Sequence, residues 1–313
     1  MGETSRDVIK RFSENHLKNN NGILLGQCLT AVGWVGHTIP ELTENDGLVE
    51  LSMADVAGGG IAVGTALSGR RPIYVVRYQG FQWFNAPMIV NYAAKSKDMW
   101  GIPCPLFIRS IAMDSSGRKG RAMGPVAGNN HHGIYFRMPG VPIAAPITPK
   151  EYQAVWDYFM SHDDPIYCSE HRRGWEVDFE IPDIVEKGAD ITLFPISSTR
   201  LNVIEALAEL KELGIKCNVI NLLWIKPFKL NNKERRIAES LKNSKFGGLV
   251  IDGDYINGVA KGMAYDLMHE YNSKVYALGL EERTAGFAPE KDNLPPTSKQ
   301  IITKIKEIVK SSL

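Results

Sequence analysis

Apolar and polar positions change period several times along the chain, and each change marks an element. Between residues 4 and 18, Val8, Ile9, Phe12 and Leu17 recur among charged neighbours at the spacing of an amphipathic helix. Asn19-Asn20-Asn21-Gly22 ends it, and Ile23-Leu24-Leu25-Gly26 is a short apolar strand. Thr30 to His37 is glycine-bearing and loop-like. The turn signal Asn45-Asp46-Gly47 leads into a strand, Leu48-Val49-Glu50-Leu51. Further strands are predicted at 73–76, 103–109, 141–146, 165–169, 191–194, 217–223, 248–252 and 274–278. Helices are predicted at 86–95, from Thr148 to about 161, and at 202–213, 235–243, 259–271 and 298–310. Thr148-Pro149-Lys150-Glu151 carries a hydroxyl cap, a proline at the first helical position and an acid three residues after the cap. Val203, Ala206, Leu207 and Leu210 share one helical face, and Gly214 stops that helix. Alternating strands and helices imply an α/β fold with mostly parallel sheets flanked by helices. Residues 174–188 are charged, irregular and broken by Pro182, and read as a linker between two domains, 1–173 and 189–313.

One stretch departs from simple periodicity. From Asp55 a run of small residues, Gly58-Gly59-Gly60-Ile61-Ala62-Val63-Gly64-Thr65-Ala66-Leu67-Ser68-Gly69, has few side chains large enough to fill a core. Glycine and alanine let another backbone or a flat ligand come close. After Arg70-Arg71-Pro72 comes the strand at 73–76, then an aromatic cluster of Tyr78, Phe81, Trp83 and Phe84. An acid, a close-packed helix, a strand and an aromatic loop suit a flat, partly cationic ring: the acid meets a ring nitrogen and an aromatic face stacks on the ring. The plainer reading is an α/β crossover with a surface acid. Glu50, five residues before Asp55, reads as a solvated charge at the strand edge and as the fallback acid.

Composition narrows the class. The chain has 313 residues, long enough for two domains; hydrophobic content is 44% and charged content 23%, ordinary for a globular protein. A net charge of +1 argues against a long-range field for nucleic acid. No apolar run reaches about 18 residues, so no membrane span is expected. The start, MGETSRDVIKRF, is too polar for a secretory signal, so a cytoplasmic location is expected. Cys28, Cys104, Cys168 and Cys217 lack metal-ligand spacing and read as reduced thiols. Residues 110–130 form a long loop carrying Arg118, Lys119 and Arg121, either solvated or in contact with a partner or an anionic substrate. The loop ends in His131-His132, for which no third metal ligand is evident.

The stretch resembles the β subunit of the thiamine-diphosphate-dependent decarboxylating component of 2-oxoacid dehydrogenase complexes. Gly60-Ile61-Ala62-Val63-Gly64, Ala66-Leu67, Gly69 and Arg71-Pro72 fall in register with that family, followed by Phe81, Asn91 and Ala93-Ala94-Lys95. Pro139-Gly140, Pro146-Ile147-Thr148-Pro149, Asp163-Asp164-Pro165-Ile166 and Glu170-His171-Arg172 continue the likeness. Asp190-Ile191-Thr192-Leu193, Val219-Ile220-Asn221-Leu222 and Lys226-Pro227 extend it into the second half. The resemblance implies a pyrimidine-binding domain followed by a transketolase C-terminal-like domain. It implies Asp55, Tyr78, Gly80 and Phe81 at the cofactor, with Asp55 as the acid facing its pyrimidine ring, and a histidine, His131 or His132, at the substrate. The departures are Asp55 for the family glutamate, Pro87-Met88 for its Asp-Gln pair, and Gln27 for an acid of the first strand.

The resemblance also implies a division of labour. The diphosphate end of such a cofactor needs Mg2+ held by oxygen ligands from a Gly-Asp-Gly motif with asparagines some way downstream. Here Asp252-Gly253-Asp254 lies in the second half and Asn129-Asn130 precedes it. The expectation is therefore a half-site, completed by an α-type subunit bearing the Mg2+ ligands, in an α2β2 assembly that also serves an acyltransferase core. The reaction implied is decarboxylation of a 2-oxoacid with transfer of the acyl unit. The alternatives are one subunit of a split transketolase-like ketol or acyl transferase, and a non-catalytic subunit whose site has eroded.

Overall fold

The computed structural model describes residues 2–113, 128–286, 288 and 291–311. The basic residues Arg118, Lys119 and Arg121 lie outside the described residues. Two compact units emerge: 2–113 with 134–180, and 128–133 with the described residues from 181 onward.

The first unit is built on β1 (Ile23–Gln27), β2 (Leu48–Leu51), β3 (Pro72–Val76), β4 (Phe107–Ala112), β5 (Ile143–Ala144) and β6 (Ile166–His171). These run in the order β2-β1-β3-β4-β6-β5, every pair parallel. β3, β4 and β6 are buried throughout, which is why they read as unbroken apolar runs and not as alternation. The amphipathic helix Ser5–Asn19 buries Val8, Ile9, Phe12 and Leu17. Its Phe12 ring stacks on Trp156 of the helix Pro149–Ser161, with centroids 4.4 Å apart and planes 7° apart. That second helix has the reciprocal Thr148–Glu151 cap foreseen from sequence.

The second unit holds β7 (Ile191–Pro195), β8 (Cys217–Val219), β9 (Trp224–Lys226), β10 (Gly248–Tyr255) and β11 (Val275–Leu280). Four of them form a parallel sheet in the order β11-β10-β7-β8. Helices Thr199–Glu212 and Ser298–Ser311 supply Val203, Ala206, Leu210, Ile301 and Ile305 to the core over Leu193 and Leu249. The α/β class, with mostly parallel sheets flanked by helices, is thus the observed one.

Several boundaries differ from the periodicity. The helix expected at 86–95 spans Gln82–Asn91, with Pro87 inside it, and Ala93–Lys95 is a separate 3-10 turn. The strand expected at 103–109 starts only at Phe107, and the one expected at 217–223 ends at Val219. β10 runs three residues past Asp252, and the helix expected from 202 begins at Thr199. No described helix is long and apolar enough to cross a membrane. All four cysteines are free thiols.

Candidate functional site

Asp55 opens the helix Asp55–Leu67, directly after the turn that leaves β2. The stretch folds as a helix whose buried face is Gly58, Gly59, Ala62, Val63 and Ala66. A Cβ on Gly58 would sit 2.7 Å from the Tyr74 hydroxyl, and one on Gly59 would sit 2.6 Å from Asn85 Oδ1. Glycine at these two places lets the helix lie directly on β3 and on the helix Gln82–Asn91. Tyr74 donates to Asn85 Oδ1 at 2.9 Å, so one hydrogen bond ties both supports of the helix together.

The Asp55 carboxyl is half-buried, and burial raises its proton affinity above the ordinary carboxylate value. Gln27, at the end of β1, lies beneath it. With the amide turned so that its oxygen faces the chain, Gln27 accepts from Ala54 N at 3.2 Å and Asp55 N at 3.1 Å. The residue that stands where the family has an acid therefore caps the amino end of this helix.

Glu50 is exposed at the end of its strand, as the sequence reading has it, and its carboxylate also holds the loop that follows β1. Its carboxylate accepts from Leu29 N at 2.8 Å, Thr30 N at 3.1 Å and Thr30 Oγ1 at 3.0 Å. These bonds give Glu50 a structural use, tying the loop after β1 to the end of β2.

The aromatic turn is fixed from below. Gln79 is fully buried, and its Nε2 donates to Ser110 O, Ser169 Oγ and Glu170 O at the ends of β4 and β6. Phe81 meets Tyr78 edge-on, centroids 5.7 Å apart, and Arg77 lies over the Tyr78 ring at 5.2 Å. Gly80, between Gln79 and Phe81, is half-buried. The helix that follows is inverted: Gln82 and Asn85 are fully buried, while Trp83 and Phe84 are 61% and 52% exposed. Met53 and Val56, on either side of Asp55, are 74% and 60% exposed.

The loop predicted at 30–37 contains a left-handed turn. Gly33, Trp34, Val35, Gly36 and His37 all have φ between 47° and 63°. For the three non-glycine residues this costs about 1–2 kcal/mol each. The turn is held by Val35 N donating to Leu29 O, by Gly36 against the Trp175 ring, and by Thr38 Oγ1, which donates to Val35 O. Arg109 donates to Thr38 Oγ1 and, through Nε and Nη2, to both oxygens of Glu170, a fully buried pair.

The histidine pair lies in the second unit. His132 is fully buried, with Nε2 2.8 Å from Asp252 Oδ2 and 3.9 Å from Asp254 Oδ2. Burial alone would drive its proton off, but the charge and hydrogen bond of Asp252, with Asp254, hold its pKa above the ordinary value. His131 is 9% exposed and stands edge-on to Tyr255. Burial, with the neighbouring His132, pushes its pKa down to about 4. Of the two, His131 is nearer the surface and His132 is committed to the aspartates. Sequence reasoning missed the aspartates as partners of His132. Asp252 lies 120 residues downstream of it, and spacing along the chain carries no sign of such a pairing.

Comparison with known proteins agrees with this architecture. Residues 5–176 match the family model described as "Transketolase, pyrimidine binding domain", and residues 182–291 match "Transketolase, C-terminal domain". The chain belongs to the transketolase family of paired pyrimidine-binding and C-terminal domains. Its similar relatives include β subunits of 2-oxoacid dehydrogenases. The chain is 24% identical to the pyruvate dehydrogenase E1 component subunit beta of Rickettsia felis over 289 residues, covering 86% of this chain and 85% of the relative. It is 23% identical to the 2-oxoisovalerate dehydrogenase subunit beta of Bacillus subtilis, covering 76% of each. A solved structure described as "Split gene transketolase, inactive beta4 tetramer" superposes with a TM-score of 0.72 at 16% identity, covering 100% of both chains.

Proposed function

We propose that this chain is the β-type half of a heteromeric thiamine-diphosphate-dependent enzyme that decarboxylates a 2-oxoacid and passes on the acyl unit. The observation that carries the reading is Asp55: a half-buried carboxyl at a helix amino terminus, its proton affinity raised by burial. Residues of the first unit fit the pyrimidine end of the cofactor. The Asp55 carboxylate oxygen holds or accepts a proton at a ring nitrogen. Phe81, braced by Tyr78 and by the buried Gln79, offers a flat face, and Gly80 keeps the turn open. The cofactor, when bound, supplies the electron sink for carbon–carbon cleavage.

Among the described residues no Gly-Asp-Gly motif with downstream asparagines accompanies these groups. The diphosphate and its Mg2+ are therefore assigned to an α-type partner chain, in an α2β2 assembly able to dock on an acyltransferase core. The exposed Met53 and Val56 beside Asp55, and Trp83 and Phe84 after the aromatic turn, support a partner that covers them.

Asp55→Ala tests the assignment in the enzyme assembled with its partner. Turnover of 2-oxoacids should fall at least about 100-fold, the lower range for a positioned acid or base. A rate near that of the unaltered enzyme overturns it. The superposition on a split-gene transketolase favours a second reading, a split transketolase moving ketol units between sugars. Turnover of sugar phosphates in place of 2-oxoacids by the same assembly would select it.

A further inference from the structure

We propose that His132, Asp252 and Asp254 form a structural site for a divalent transition-metal ion of the Zn2+ type, inside the second unit. The three ligand atoms lie within 4.8 Å of one another and all three residues are buried. Charge is the first reason. Among the described residues, neither aspartate pairs with a lysine or arginine, and His132 is the only ionic partner of each. A protonated imidazole leaves one negative charge in excess in a site closed to water, and such a charge is costly. A divalent ion with a neutral imidazole and two carboxylates leaves none.

Preorganisation is the second reason. Each carboxylate is already aimed by backbone donors: Gly253 N reaches Asp252 Oδ1 at 2.7 Å, and Tyr255 N reaches Asp254 Oδ1 at 2.7 Å. Gly133 N donates to Asp254 Oδ2 at 2.7 Å, and a Cβ on Gly133 would stand 2.8 Å from that same oxygen. Only glycine lets the chain after His132 close over the aspartate. Such outer hydrogen bonds fix ligand orientation in metal centres.

Ligand chemistry is the third. One imidazole nitrogen and two carboxylate oxygens suit Zn2+, Co2+ or Mn2+; Mg2+ prefers an all-oxygen shell with several waters, unlike a set that includes an imidazole. Bonds of about 2.0–2.2 Å in a tetrahedral shell separate ligands by about 3.3 Å. The observed 2.8 and 3.9 Å bracket that value, so entry of an ion requires shifts of about half an ångström. The ion would pin residues 131–133 to the end of β10.

On the thiamine-diphosphate reading the site would leave the substrate contact to His131, and its test uses no turnover. The full chain, stripped with a chelator, is titrated with Co2+ and with Zn2+. One equivalent of Co2+ should give the visible absorption of a tetrahedral centre. One equivalent of Zn2+ should survive dialysis and raise the melting temperature. Asp254→Asn and Asp252→Asn, each isosteric, should weaken Zn2+ binding at least about tenfold, measured by competition with a chromophoric chelator. If a variant fails to fold, the Co2+ spectrum and Zn2+ stoichiometry of the unaltered chain decide. Absence of a one-to-one ion there, or unchanged affinity in folded variants, overturns the proposal and leaves a histidine clamped by two carboxylates.

Discussion

Asp55 is the meeting point of two opposed influences. A helix amino terminus favours a carboxylate by about 0.3–1 kcal/mol, whereas enclosure favours the neutral acid. The net direction is upward, so enclosure prevails. His16 poses the same contest away from the site. Its Nε2 donates to Arg71 O at 2.6 Å, and its Nδ1 is buried without a partner. Burial, with the charges of Arg71 and Arg70, therefore holds its pKa below the ordinary value. Below about pH 6.5 the unfolded chain takes up a proton at His16 that the folded chain refuses. The stability contributed by neutral His16 is complete above that pH and is lost as pH falls toward the folded pKa. Urea midpoints should drop between pH 7 and pH 5 more steeply in the unaltered chain than in His16→Gln, which keeps a donor for Arg71 O. Equal slopes would dismiss the idea. At this scale the sequence disclosed residues whose neighbours carry the meaning: Asp55 before a glycine run, and Phe81 in an aromatic turn. It could not disclose Gln27 as the cap beneath Asp55, or the partners of Glu50 and His132, because those bonds join distant segments.

The helix Asp55–Leu67 shows how small residues become specific. Gly59→Ala places a methyl 2.6 Å from Asn85 Oδ1 and 3.3 Å from Asn85 Cα, so the neighbouring backbone must yield. Crowding of this kind costs about 1–3 kcal/mol, more than the roughly 1 kcal/mol that alanine gains in helix propensity. At Gly64, where nothing lies within 4 Å, alanine should keep that gain. Chemical denaturation of the two variants should move the midpoints in opposite directions; a stabilised Gly59→Ala would refute the close packing. The elements with a clear apolar face, such as Ser5–Asn19 and Pro149–Ser161, were legible to within a residue or two of their ends. Gln82–Asn91 was not, for a physical reason. It buries Gln82 and Asn85 beside Ile89 and displays Trp83 and Phe84, so its buried face does not read as apolar, and Pro87 conceals its start.

For the whole molecule, two domains of alternating strands and helices were readable because buried parallel strands appear as apolar runs between helices. The strand order was not, since no local pattern records which runs pair. The half-site reading makes its prediction at this scale. The purified chain, titrated calorimetrically with thiamine diphosphate and Mg2+, should bind at least about tenfold more weakly than the assembled enzyme. Equal affinity without a partner would refute the division between two chains.

The inverted helix has a consequence for the cell. A newly made copy of this polypeptide meets water with Trp83 and Phe84 outermost, and it stays adhesive until those rings are covered. On the proposed half-site reading, supply of the covering chain would set how much of this one persists, and overproduction of either would yield orphans for chaperones and proteases.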